Sequence, residues 1–64
     1  MASNYRLKAA RVFLGLTQLQ LAQRVGKKEI DISRIETGRA RPEPLTRTRI
    51  AEVLQKSAFE LFDN

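Results

Sequence analysis

Apolar residues recur along the chain at spacings of three and four, which is the period of an amphipathic α-helix. Near the start, Leu7, Ala10 and Leu14 would share one helical face, and Ile32 and Ile35 repeat the spacing further along. Nowhere do β-branched residues alternate strictly with polar ones over the length of a strand. The pattern therefore predicts an all-α protein.

Capping and stop signals divide this pattern into a compact bundle of five short helices. Ser3 can cap the first helix, which stops at Gly15. The second begins with the capping-box signature T-x-x-Q at Thr17 and ends at Gly26. Gly38 ends the third, and two prolines interrupt the loop that follows. After the first helix, the predicted helices cover residues 18–25, 29–37, 45–55 and 58–62. Four apolar residues of the fourth helix are expected to be buried: Leu45, Ile50, Ala51 and Leu54.

Only a few residues around Gly26 join the second and third helices, which is the spacing of a helix-turn-helix. The small side chain of Ala22 allows the two helices to approach closely, and Gly26 can adopt the left-handed conformation that a tight turn needs. Apolar residues that would fill the angle between the helices are Leu21, Val25, Ile32 and Ile35.

The face of the third helix opposite Ile32 and Ile35 is polar apart from one residue. At 100° per residue, this face carries Glu29, Ile30, Ser33, Arg34 and Thr37. Ile30 is either a lone apolar residue on the surface, which is common, or a contact for a thymine methyl group in the major groove. The sequence leaves both interpretations open.

Charge gives the first indication of a partner. Twelve Lys and Arg against seven Asp and Glu give a net charge of +5. Such an excess favours a polyanion, most simply nucleic acid, although a basic solvated surface would look the same. The chain has no Cys and no His, which excludes disulfides, the usual zinc and haem sites, and catalysis by those residues.

Other functional classes find little support in the sequence. No carboxylate cluster, glycine-rich phosphate loop or nucleophile–base pair indicates an enzyme, so we expect no catalysis, no cofactor, no metal and no small-molecule ligand. No apolar run approaches membrane-spanning length, and no signal-peptide pattern opens the chain. We expect one soluble, cytoplasmic domain over residues 1–64 without a membrane partner.

Several motifs occur together in an order typical of one family. They are Leu7-Lys8-x-x-Arg11, Gly15-Leu16-Thr17-Gln18, Ile32-Ser33-Arg34-Ile35-Glu36-x-Gly38, Ile50-Ala51-x-x-Leu54 and Ser57-x-x-Glu60-Leu61-Phe62. With them the chain resembles, from about Tyr5 to Phe62, the Cro and phage-repressor type of helix-turn-helix domain, also called the XRE family.

The resemblance implies a lambda-repressor-like, five-helix domain that binds double-stranded DNA with its third helix in the major groove. By position, the base-contacting residues would be Glu29, Ile30, Ser33 and Arg34. The phosphate-contacting residues would be Gln18, Lys27, Lys28, Arg39 and Arg41. Arg11 and Glu36 match a salt bridge that locks the first helix to the third.

Some positions depart from the family's usual pattern. Lys27 replaces the apolar residue that usually closes the turn, and it can direct its amine at a phosphate. Lys28 stands where Ser or Thr usually caps, and Arg47 and Thr48 stand where leucines are frequent. Glu29 could accept from a cytosine amine, or it could merely repel phosphate.

The resulting prediction is a homodimeric, sequence-specific transcriptional regulator of prokaryotic or phage origin, a repressor rather than an activator. Its dimer interface would use the loop after Pro42 and the last two helices. One alternative is a protein-interaction module such as an antitoxin or anti-regulator, which an exposed patch around Phe13, Leu19 and Ile30 would favour. Another alternative is an accessory to an enzyme, or a fragment. The capped helix ends argue against a fragment.

Overall fold

The computed structural model describes residues 3–62, and within them it contains five helices and no strand. Their bounds are α1 Tyr5–Phe13, α2 Gln18–Val25, α3 Glu29–Glu36, α4 Pro44–Leu54 and α5 Ala58–Phe62. The all-α bundle predicted from the sequence is confirmed. None of these helices has the length and apolar character needed to cross a bilayer.

The first helix is capped one residue later than the sequence indicated. The Asn4 side-chain oxygen accepts from the backbone N–H of Leu7 at 3.0 Å, so Asn4 is the N-cap and the prediction of Ser3 is wrong. The same amide donates from Nδ2 to the backbone carbonyl of Leu61 at 2.8 Å. Asn4 therefore caps α1 through its amide oxygen and ties it to α5 through its amide nitrogen.

The second helix begins as the sequence predicts. Thr17 Oγ1 accepts from the backbone N–H of Gln20 at 3.0 Å, and Gln20 Oε1 accepts from the backbone N–H of Thr17 at 2.8 Å. At the other end, Gly26 adopts a left-handed conformation with φ of 72°. A Cβ atom there would meet no neighbour within 4 Å, so the demand for glycine comes from the backbone conformation alone.

One apolar core joins all five helices, and it includes the predicted set between α2 and α3. The buried apolar residues are Leu7, Ala10, Leu21, Ala22, Val25, Ile32, Ile35, Ile50, Ala51, Leu54 and Leu61. Leu14, just beyond the end of α1, is at the border of this core, with 37% of its surface exposed.

The buried face of α4 differs from the prediction by one residue. Leu45 is 58% exposed, whereas Thr46 is 4% exposed. Thr46 shares its face with Ile50 and Leu54 at spacings of four, and Leu45 lies about 100° away around the helix. The Thr46 hydroxyl donates to Glu43 Oε1 at 3.1 Å, so burial does not cost it a hydrogen bond.

Candidate nucleic-acid interface

The surface of α3 is divided as the sequence predicts. Ile32 and Ile35 are buried, whereas Glu29, Ile30 and Arg34 are exposed and Ser33 is half-buried. Half of the Ile30 surface is open to solvent, which leaves an apolar side chain on an otherwise polar face. This face is therefore free to contact a partner.

Asp31 caps α3 in place of its poor N-cap residue. The Lys28 side chain forms no cap, but the backbone N–H of Lys28 donates to Asp31 Oδ2 at 3.0 Å. Glu29 and Asp31 also place negative charge near the positive end of the helix dipole. The sequence analysis missed this bond, although an acidic residue three positions after the cap is a recognisable signal.

The turn between α2 and α3 is held by main-chain hydrogen bonds. The backbone N–H groups of Gly26 and Lys27 both donate to the carbonyl of Ala22, the second at 2.8 Å. Ala22 is itself fully buried between the helices. These contacts fix the angle at which α2 presents α3.

Arg11 and Glu36 form an ion pair between α1 and the end of α3. The Arg11 Nε atom lies 2.6 Å from Glu36 Oε2, and its Nη2 donates to Glu36 Oε1 at 3.1 Å. The third donor, Nη1, reaches the backbone carbonyl of Leu16 at 2.7 Å. Both side chains are more than nine-tenths buried. The guanidinium thus joins α1, the loop before α2 and α3.

Gln18 shares the same carboxylate. Its Nε2 donates to Glu36 Oε1 at 3.0 Å from the first residue of α2, and the side chain is half-buried. Spacing in the sequence gave no sign of this bond, because the two residues meet only after the helices have packed. One amide hydrogen of Gln18 remains available for a second acceptor.

The basic residues predicted to surround the interface are all at the surface. Lys27, Lys28, Arg39 and Arg41 are exposed. Lys27 Nζ also lies 3.5 Å from Glu43 Oε1, so a carboxylate already neighbours that ammonium. Within residues 3–62, no group of three or more metal-ligating side chains occurs.

Comparisons with known proteins place this geometry in a family. A helix-turn-helix family profile matches residues 7–61. A search of curated proteins finds no significant match.

Solved structures share the fold over nearly the whole chain. The restriction-modification controller protein C.AhdI from Aeromonas hydrophila is 27% identical, with a TM-score of 0.85 over 92% of this chain and 89% of its own. The P22 c2 repressor in complex with synthetic operator 9T is 25% identical, with a TM-score of 0.88 over 100% of this chain and 98% of its own.

A chain of the SinR–SinI protein complex is 26% identical, with a TM-score of 0.86. The match covers 95% of the present chain and 60% of the chain from the complex. The fold is that of DNA-binding regulators, similar to repressors and controller proteins. The chain belongs to the helix-turn-helix family of XRE and Cro type.

Proposed function

We propose that this protein is a sequence-specific, double-stranded DNA-binding regulator that inserts α3 into the major groove. The observation that carries the proposal is the exposed face of α3, where Ile30 lies among groups that can donate or accept hydrogen bonds. The likeness to repressors supports a repressor role, in which the bound domain blocks access to its site.

The exposed side chains of α3 have chemistry suited to base edges. Arg34 has a planar fork that matches the two acceptors of guanine, Glu29 can accept from the cytosine amine, and Ile30 suits the thymine methyl group. Ser33 can either donate or accept. Each good contact contributes about 1–3 kcal/mol of discrimination.

Site selection from random duplex DNA tests this assignment. Arg34→Ala should relax the preference at one base pair per half-site and leave the fold intact. Glu29→Gln should shift the preference toward adenine at another position, because an amide pairs with the donor and acceptor of adenine. Arg24→Ala, on the exposed surface of α2, is the matched control. An unchanged site preference in both α3 variants would refute their role in base reading.

The surrounding cations would bind phosphate. We assign this role to Gln18, Lys27, Lys28, Arg39 and Arg41. Each neutralised phosphate releases counterions, so affinity should fall as salt rises. Arg39→Ala should weaken binding to all duplexes alike and reduce the salt slope by about one unit. Arg24→Ala should leave that slope unchanged.

We propose a homodimer, because one domain is too small for a two-part operator. The described chain extends 24 × 22 × 21 Å, whereas half-sites one turn apart are separated by about 34 Å. The interface would use the loop after Pro42 with α4 and α5. A selected site that is palindromic, bound by two copies in sedimentation experiments, supports this arrangement. A monomer on a single half-site refutes it.

A protein-interaction module is the second candidate. The observation that favours it is the exposure of apolar side chains outside α3: Phe13 is 87% exposed and Leu19 is 46% exposed. The two candidates separate in a binding assay at low salt. Failure to bind any duplex there would favour the interaction module.

A further inference from the structure

A cleft lies at the end of α3, between the start of α1 and the end of α5. Its volume is about 520 Å³, within the range of roughly 300–1,000 Å³ that is usual for small-molecule sites, and it is open to solvent. Its walls include Tyr5, Ile35 and Phe62, and three arginines: Arg6, Arg41 and Arg47. No residue of α2 contributes, so the cleft is separate from the helix-turn-helix angle.

Arg47 is the distinctive residue of this cleft. It lies on α4 at spacings of three and four from the buried Ile50 and Ala51, on the flank of the face that packs into the core. An apolar residue would be ordinary there, but the structure has a half-buried arginine. The Arg47 side chain has no hydrogen bond or ion pair with any described residue. Its five guanidinium donors are therefore open to a ligand or to water, without an acceptor among the described residues.

The described lining of the cleft carries positive charge. No described residue that lines it is acidic. Three described carboxylates adjoin lining residues in sequence, and all are engaged elsewhere. Glu36 accepts from Arg11 and Gln18, Glu43 contacts Lys27 and Thr46, and Glu60 accepts from the backbone N–H of Ser57. Arg41 likewise has no acceptor among the described residues, whereas Arg6 donates to the carbonyl of Glu60 at 3.1 Å.

The walls of the cleft are held in place by the fold. Asn4 donates from its backbone N–H to the Glu36 carbonyl at 2.8 Å and from its side chain to the Leu61 carbonyl at 2.8 Å. These bonds pin the start of α1 to α3 and α5. Arg47 lines the same concavity from α4.

We propose that this cleft binds the phosphate group of a small phosphorylated compound, with Arg47 and Arg41 as its ligands and the Tyr5 side chain beside the bound molecule. Planar guanidinium groups match the paired oxygens of phosphate, and Arg is the residue best suited to that recognition. A free terminal phosphate can enter the cleft and reach the half-buried Arg47, whereas a duplex backbone presents its phosphates along a convex surface. The cleft shares Arg41 with the DNA-phosphate contacts proposed above, and it shares α4 and α5 with the proposed dimer interface. Anion binding, duplex affinity and oligomeric state are therefore measured separately.

The test measures binding of pyrophosphate and of ATP to the full chain by calorimetry and thermal unfolding, with sodium chloride at equal ionic strength as the reference. Both anions should bind and raise the unfolding temperature.

Arg47→Leu should weaken binding by about tenfold or more, as expected for the loss of charge-assisted hydrogen bonds. Arg49→Leu, at an exposed position on the same helix, should leave it unchanged. Arg47→Leu places an apolar side chain beside Ile50, so it should remain folded, and Arg47→Gln provides a polar second variant.

Three outcomes overturn the proposal. The first is equal binding by the parent protein and Arg47→Leu, which would show attraction by net charge alone. The second is no pyrophosphate or ATP binding together with a loss of duplex affinity in Arg47→Leu, which would make Arg47 a contact for DNA phosphate. The third is a change in oligomeric state in Arg47→Leu without anion binding, which would place Arg47 in an interface between copies. Selection of duplex sites measures the proposed DNA function separately.

Discussion

The two ion pairs within residues 3–62 use the same chemistry in very different surroundings. Arg11 and Glu36 approach to 2.6 Å with 9% and 3% of their side-chain surfaces exposed. Lys27 and Glu43 are 3.5 Å apart with 37% and 64% exposed. A buried charge that loses its partner is costly, whereas an exposed pair in water contributes little. Burial, rather than the type of charge, decides which pair supports the fold.

The buried pair is also the centre of a network. The Glu36 carboxylate accepts from Arg11 and Gln18, and its backbone carbonyl accepts from Asn4 at 2.8 Å. It therefore fixes the end of α3 against α1 and the start of α2. Lys27 has one acidic partner, which water or a phosphate can replace. The first pair sets the position of the proposed reading helix, and the second leaves a cation free to change partner.

The largest expected effect is the loss of Glu36. Glu36→Ala leaves the Arg11 guanidinium without its counterion, which costs about 3–5 kcal/mol when the site is fully buried and less where water enters. Urea unfolding measures the loss. A double-mutant cycle with Arg11→Met and Glu36→Leu should show clear coupling between the two positions. Additive effects would contradict the ion pair.

That loss is a large fraction of the stability of a typical domain, about 5–15 kcal/mol. Glu36→Gln is therefore the milder variant, because it keeps the side-chain shape and one acceptor. It should lie between the parent protein and Glu36→Ala. Glu52→Gln, at an exposed position of α4, is the control and should change stability little.

The next effect tests whether Gln18 both stabilises the fold and contributes to DNA binding. Gln18→Ala removes a half-buried hydrogen bond to a carboxylate, and we expect a loss of about 1 kcal/mol, since bonds to charged groups contribute about 1.5–3 kcal/mol when well shielded. The variant should also bind every duplex more weakly. Gln23→Ala on the exposed surface of α2 is the control. Reduced stability with unchanged duplex affinity would limit Gln18 to a structural role.

The sequence predicts the local features of this molecule better than the contacts between its helices. The bundle and the two faces of α3 follow from helical spacing and from local signals such as Thr17 with Gln20. The Gln18 bond to Glu36 was missed because it depends on how α2 and α3 pack. Thr46 was missed as a buried residue because a polar side chain at the core requires the Glu43 acceptor, which composition does not show.

The cleft around Arg47 escaped prediction for a related reason. Its walls come from the start of α1, the end of α3, α4 and α5, which are far apart in sequence. Arg47 departs from the usual pattern of the family, but only the packed helices show that its guanidinium has no acceptor within residues 3–62. Local sequence patterns predict individual helices well. They predict poorly the sites that several helices form together.

Lys27→Ala should have a small effect on stability and a larger one on DNA binding. We expect a loss of about 0–1 kcal/mol that disappears as salt rises, because the pair is exposed and screened. Duplex affinity should fall for all sequences. Glu43→Gln should raise that affinity slightly by removing the competing carboxylate, while its amide oxygen still accepts from Thr46. If Glu43→Gln instead lowered duplex affinity, DNA binding would need the intact Lys27–Glu43 pair. Lys27 would then not be a cation that exchanges its carboxylate partner for a phosphate.

The smallest expected effect concerns an exposed carboxylate with a main-chain partner. Glu60 Oε2 accepts from the backbone N–H of Ser57 at 2.7 Å, and this bond, with the Ser57 side chain, lowers the pKa of Glu60 below its ordinary value of 4.5. Because the folded protein favours the charged form, this contribution is complete above pH 4.5 and is lost as the pH falls through the lowered pKa. The effect should be confined to the start of α5, a helix of only five residues.

Amide hydrogen exchange measured with decreasing pH should show α5 opening before α1 to α4, and Glu60→Gln should remove that pH dependence. Simultaneous loss of protection in all five helices would show that the Glu60 cap is coupled to the core as tightly as the buried pair at Glu36.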